Sequence, residues 1–193
     1  MSLTRKKRVI KVSIYESNIR RRASKLIASF AGGVLFVATI GLAACAAGPY
    51  SQESGLPNKV LTPGMTNPQV TQANIHSNVC IHGWTATVRP PVTYTNQLKY
   101  SQLHSGYNLN SDMSLKNYEE DHEVPLEVGG SPSSVQNLWP EPRNIRLGAT
   151  VKDQLENRMH DLLCAGQITL KTAQSVFMTN WESGYKKYIG QLP

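Results

Sequence analysis

Apolar residues recur every three to four positions at Val151, Leu155, Met159 and Leu162, the spacing of one buried helix face, so an amphipathic helix is predicted from about residue 150. Its opposite side carries Lys152, Asp153, Glu156 and His160, and Gly166, just after Cys164, can end it. Thr169 caps a second predicted helix with Ala173, Val176, Phe177, Trp181, Tyr185 and Tyr188 toward the core, Gly184 within it being a mild cost. Upstream the period shortens. The stretch VCIHGWTATV (79–88) alternates in part and predicts a strand ending at Pro90-Pro91. Tyr118 to Leu126 predicts another strand, Gly129-Gly130 a turn needing positive φ, and Asn137 to Trp139 a returning strand that Pro140 ends. Asn67-Pro68 opens a short helix over Val70 to His76, and Thr93 or Thr95 caps one containing Tyr94, Leu98 and Leu103. Residues 104–117 read as a loop. Trp84, Trp139 and Trp181 occupy apolar positions and are expected in the core. Strand, loop, strand, helix in that order predicts an α+β fold: a β-hairpin plus helix with additional flanking helices.

Charge divides the chain. Of its 193 residues, 1–45 hold nine Lys/Arg and one acid, Glu16, whereas 46–193 hold eleven basic and twelve acidic residues. The basic balance thus belongs to the leader, and the rest of the chain is near neutral, which predicts weak non-specific attraction to nucleic acid and contacts confined to a local patch. In the leader, Arg20-Arg21-Arg22 and Lys25 precede the uncharged run LIASFAGGVLFVATIGLAA (26–44), and Leu42-Ala43-Ala44-Cys45 resembles a bacterial lipobox. Residues 1–45 are therefore read as a signal peptide lipidated at Cys45, or else as an uncleaved N-terminal membrane anchor. Either places the chain after residue 45 outside the cytoplasm, in the cell envelope facing the periplasm or exterior. Residues 46–66, rich in Gly, Pro and Ser, read as a flexible linker, leaving 67–193 as the folded domain.

Setting Cys45 aside leaves Cys80 and Cys164, and in an oxidising compartment an even pair is most economically a disulfide, two buried free thiols being the alternative. Neither has a partner at zinc-knuckle spacing.

The remaining chemistry lies in YEEDHEVPLEVGGSPSSVQNLWPEPRN (118–144). Asp121-His122, Pro125-Leu126, Gly129-Gly130 and Asn137-Leu138 together resemble the HNH motif of the ββα-metal, or His-Me finger, nucleases, over residues 118 to about 160. The segments NLWPEPR and KDQLE and the C-terminal AQ…W resemble an exported bacterial branch carrying this motif. The resemblance implies a metal-dependent nuclease that hydrolyses phosphodiester bonds, with His122 as general base, Asp121 as metal ligand and Asn137 fixing the loop and orienting His122. It implies a second ligand about twenty residues beyond the histidine, where Asn144 is the nearest match, with Asp153, Glu156 and His160 as alternatives. The chain departs from the common pattern in lacking a Cys pair and a final His at the usual place. The chemistry asks for these groups. A neutral imidazole accepts a proton near neutral pH, and a divalent ion such as Mg²⁺, suited to oxygen and amide ligands, neutralises charge growing on the phosphate. Successive strand residues point to opposite sides, so Asp121 and His122 converge only at a twisted strand end.

Other readings of the same residues stand beside this one. Asp121-His122 can be a structural hydrogen-bonded pair, Glu156 and His160 solvated helix residues, and Arg143, Arg146, Lys152 and Arg158 a solvated mixed face interspersed with acids. His76, His82 and His104 have no patterned neighbours. The rival from another class is a non-catalytic envelope lipoprotein that keeps the scaffold as an interaction module. The expected partners are a nucleic acid substrate and the membrane, reached through lipid or an N-terminal helix; no protein partner is readable.

Overall fold

A computed structural model describes residues 54–107 and 111–193. The leader, Cys45 and the first part of the expected linker lie outside the described residues. No described helix is long and apolar enough to cross a membrane.

The described chain is α+β. It runs through a helical turn at Ile75–Ser77, α1 (Trp84–Val88), α2 (Val92–Gln102) with a wide kinked turn to Tyr107, then β1 (Tyr118–His122), β2 (Leu138–Pro142), α3 (Ala149–Cys164), α4 (Leu170–Thr179) and α5 (Trp181–Tyr188). β1 and β2 form an antiparallel pair with Tyr118 opposite Pro142 and His122 opposite Leu138. Pro140 does not end β2, which carries two prolines. The bonds Arg143 N to Asn117 O and Glu123 N to Asn137 O bracket the pair, so in an antiparallel ladder the prolines fall in the non-hydrogen-bonded pairs and no ladder donor is missed.

Four further expectations are corrected. Residues 79–88 are not a strand. Val79 is buried, Cys80 is bonded to Cys164, Gly83 adopts φ 79°, and α1 begins at Trp84, so the alternation there had no neighbouring strand to serve. Over 70–76 only the Ile75–Ser77 turn is helical; before it the Asn74 side chain accepts from Thr71 N and donates to Gln69 O, which folds the segment into a local turn instead. The second C-terminal helix is two. Asn180, at φ −168°, breaks it, and its side chain accepts from Ser183 N to cap α5. Gly184 then lets α5 close on α4, since a Cβ there would lie 2.2 Å from Val176 Cγ1. α2 starts after Pro91 without a side-chain cap rather than at Thr93 or Thr95.

The expected linker is in contact with the folded body from Ser54 onward. Trp181 Nε1 donates to Gly55 O at 3.0 Å, Lys59 pairs with Glu123 and donates to Phe177 O, and Thr66 bridges to Gly130. This strap ties the helical layer to the hairpin loop. The main core gathers Val124, Val128, Leu155, Met159, Leu163, Phe177 and Trp181, with Trp84 partly buried against it, and a smaller cluster joins Leu103, Tyr107, Tyr118 and Trp139. The disulfide joins Cys80 to the last residue of α3, with Cα atoms 5.6 Å apart.

Candidate functional site

The loop from β1 to β2 is held by one side chain. Asn137 is fully buried, and its Oδ1 accepts from Val124 N (2.9 Å) and Met65 N (3.1 Å), while Nδ2 donates to Val124 O (3.0 Å) and Ser131 O (2.9 Å). All four hydrogen-bonding positions of the amide are used, which only one rotamer in one loop conformation satisfies. The two glycines have separate reasons. Gly129 takes φ 78°, and at Gly130 a Cβ would sit 1.7 Å from Val124 O.

This clamp sets the carbonyl that holds His122. His122 Nε2 lies 2.9 Å from Pro132 O, and because a carbonyl only accepts, Nε2 carries the proton and Nδ1 keeps a lone pair. Nδ1 has no hydrogen-bond partner among the described residues. The ring is 3% exposed, and burial, partly opposed by the charge of Asp121, lowers its pKa, so the imidazole is neutral at neutral pH.

Asp121 leads elsewhere, as strand alternation requires. Its Oδ2 lies 2.5 Å from Lys152 Nζ, which also contacts Glu156 Oε1, donates to His122 O at 2.9 Å and stands 3.7 Å from Glu141 Oε2. Lys152 is not part of a solvated face: it is 0% exposed, because the fourth residue of α3 faces the hairpin. Burial alone would raise Asp121 and lower Lys152, but their mutual attraction wins, holding Asp121 well below the carboxylate range and Lys152 well above its ordinary value. Burial pushes the other two carboxyls up, Glu156 to about 8, with Lys152 opposing in each case. The centre therefore holds the Asp121–Lys152 ion pair beside two carboxyls whose ionisation is opposed by burial and favoured by the ammonium.

The remaining expected residues are placed as follows. Asn144 does not join Asp121. It is exposed, and its Nδ2 donates to Asn117 Oδ1 at 3.1 Å, at the far end of the hairpin and about 13 Å of strand away from residue 121. Asp153 is exposed on α3, and Glu156 alone among the alternatives shares a partner with Asp121. His160 Nε2 lies 2.9 Å from Val79 O, beside the disulfide. Ligand atoms of Cys80, His160 and Cys164 lie within 4.8 Å of one another, yet the two sulfurs are bonded to each other and offer no thiolate.

A divalent ion does not fit beside Asp121 in this arrangement. The three N–H groups of Lys152 are taken up by Asp121, Glu156 and His122 O, and an ion close enough to share a carboxylate would lie roughly 4 Å from the ammonium. At an effective dielectric of about 20 that repulsion is about 8 kcal/mol, twice the value for two unit charges. Lys152, Glu141 and Glu120 were not singled out as site residues from sequence. The spacing of Lys152 and Glu156, one helical turn apart, was the only local signal. The chain matches no protein-family model, no curated protein and no solved structure.

Proposed function

We propose that the protein hydrolyses phosphodiester bonds in nucleic acid with His122 as general base, on a hairpin-and-helix scaffold of the HNH type. The observation that supports this reading is the His122 ring. Its Nε2–H is fixed on Pro132 O, its burial keeps it neutral, and its Nδ1 is left with a lone pair for a water proton. Nδ1 takes a proton from water, the oxygen attacks phosphorus, and the bond from phosphorus to the leaving ester oxygen breaks as that oxygen takes a proton from a solvent water, the imidazolium then returning its own proton to solvent. Asn137 acts as a positioning residue, holding Ser131 beside Pro132. Replacing His122 by Ala is expected to lower plasmid nicking by the purified protein at least about 100-fold. Unchanged nicking by that variant overturns the assignment.

A second reading, the non-catalytic interaction module, is favoured by Lys152, whose ammonium neutralises the carboxylate that the resemblance assigns to a metal. Absence of cleavage of DNA and RNA by the folded wild-type protein, with and without divalent ions, decides for it.

A further inference from the structure

We propose that Lys152 is the resident cation of the centre formed by Asp121, Glu141 and Glu156, so that the site takes a divalent ion only when this lysine is removed. The carboxyls arrive from β1, β2 and α3, and among the described residues the only other oxygen at the centre that contacts Nζ is the His122 carbonyl. Four oxygens from three elements, Asp121 and His122 both lying on β1, are the hard donor set that Mg²⁺, Mn²⁺ or Ca²⁺ prefers. Nζ stands among them with its three protons directed at Asp121, Glu156 and His122 O, and its stem passes the Phe177 ring with Nζ 5.8 Å from the centroid. Glu141 is the independent sign that this pocket is a cation site. It is fully buried and aimed at the centre, 3.7 Å from Nζ and so beyond hydrogen-bond reach of the ammonium, and its side-chain hydrogen bond is to Asp121, another member of the same centre. Such an acceptor has unused capacity that a smaller, doubly charged ion closer to all three carboxyls would use.

The lysine is held in place by its position on α3. A side chain on the fourth residue of the helix reaches Glu156 one turn later, and the hairpin supplies Asp121 across from it. Exchange of the ammonium for a divalent ion would require a buried lysine to leave three carboxyls and find solvent. The centre thereby holds a covalently attached cation with a single charge where an exchangeable divalent ion would carry two.

The test is Mn²⁺ binding, followed by the paramagnetic signal of free Mn²⁺, to the full chain and to Lys152→Ala. Wild type is expected to hold no stoichiometric Mn²⁺ at millimolar concentration, and Lys152→Ala to bind one ion at least tenfold more tightly, with a thermal midpoint that rises on adding Mn²⁺. Stoichiometric binding by wild type that Asp121→Asn abolishes overturns the proposal, as does a folded Lys152→Ala that binds no more Mn²⁺ than wild type. Should Lys152→Ala not fold with or without Mn²⁺, Lys152→Ala/Glu141→Gln, with one buried acid fewer, is judged by the same criterion. The inference does not rest on the hydrolytic reading. Occupancy is measured without turnover, so a protein that cleaves nothing can still show this pattern.

Discussion

Glu120 offers a measurement of how strongly the hairpin is buried. It sits on β1 opposite Pro140, 9% exposed, with neither carboxyl oxygen partnered among the described residues. Lys99 is near enough to be felt but donates to Tyr118 O instead. Burial, reinforced by the charge of Asp121 and opposed by Lys99, raises the Glu120 pKa from 4.5 to about 8. The folded pKa is above the unfolded one, so the stability associated with the bound proton is complete below pH 4.5 and is lost as pH rises toward 8. Over that window the loss is about 1.4 kcal/mol per pH unit, which accumulates to about 3 kcal/mol by pH 7 and less than about 1 kcal/mol by pH 5. Glu120→Gln keeps the shape and removes the titration. Urea unfolding of both proteins from pH 5 to pH 8 is therefore expected to show the variant gaining on wild type at roughly that slope. Any constant penalty for burying the amide shifts the difference equally at every pH, and Glu141 and Glu156 titrate in both proteins, so the slope isolates Glu120. A difference that stays flat from pH 5 to pH 8 would refute the reasoning.

Two further outcomes concern the frame of the site. Asn137→Ala leaves Val124 N, Met65 N, Val124 O and Ser131 O without their partner and is expected to cost about 4 kcal/mol in denaturant unfolding; nitrogen NMR of the His122 ring should change from a pure Nε2–H tautomer to a mixture as Pro132 shifts. Replacing Cys80 and Cys164 by Ser opens a bridge spanning 84 residues and should lower stability by about 4 to 5 kcal/mol, read as a drop in urea midpoint that reductant reproduces in wild type.

Local pattern was informative where a segment's periodicity and its burial agree. The apolar stripe from Val151 to Leu162 faces the core on α3, Gly129-Gly130 makes the tight passage between the strands, and the two cysteines outside the leader are joined. It misled where a short apolar run had no strand to pair with, as at 79–88, or where a proline fell by register on a pair that needs no donor, as at Pro140. The strap from Ser54 was misread because Gly and Pro, common in linkers, also allow close packing: a Cβ on Gly55 would lie 1.9 Å from Leu147 O.

The site divides in the same way. Which residues are titratable, that His122 precedes a tight loop, and that Asn137 follows it are properties of order along the chain, and the sequence by itself determines them. Tertiary structure alone decided that Lys152 turns inward, that Asn144 lies at the wrong end of the hairpin, and that carboxyls from two strands and a helix share one ammonium. The physical reason is that a lysine on the polar side of a helix is read as solvated unless opposite charges wait for it, and those charges come from residues with no local relation to it. Burial then sets which of them stay ionised, a property of the assembled surroundings rather than of any one residue.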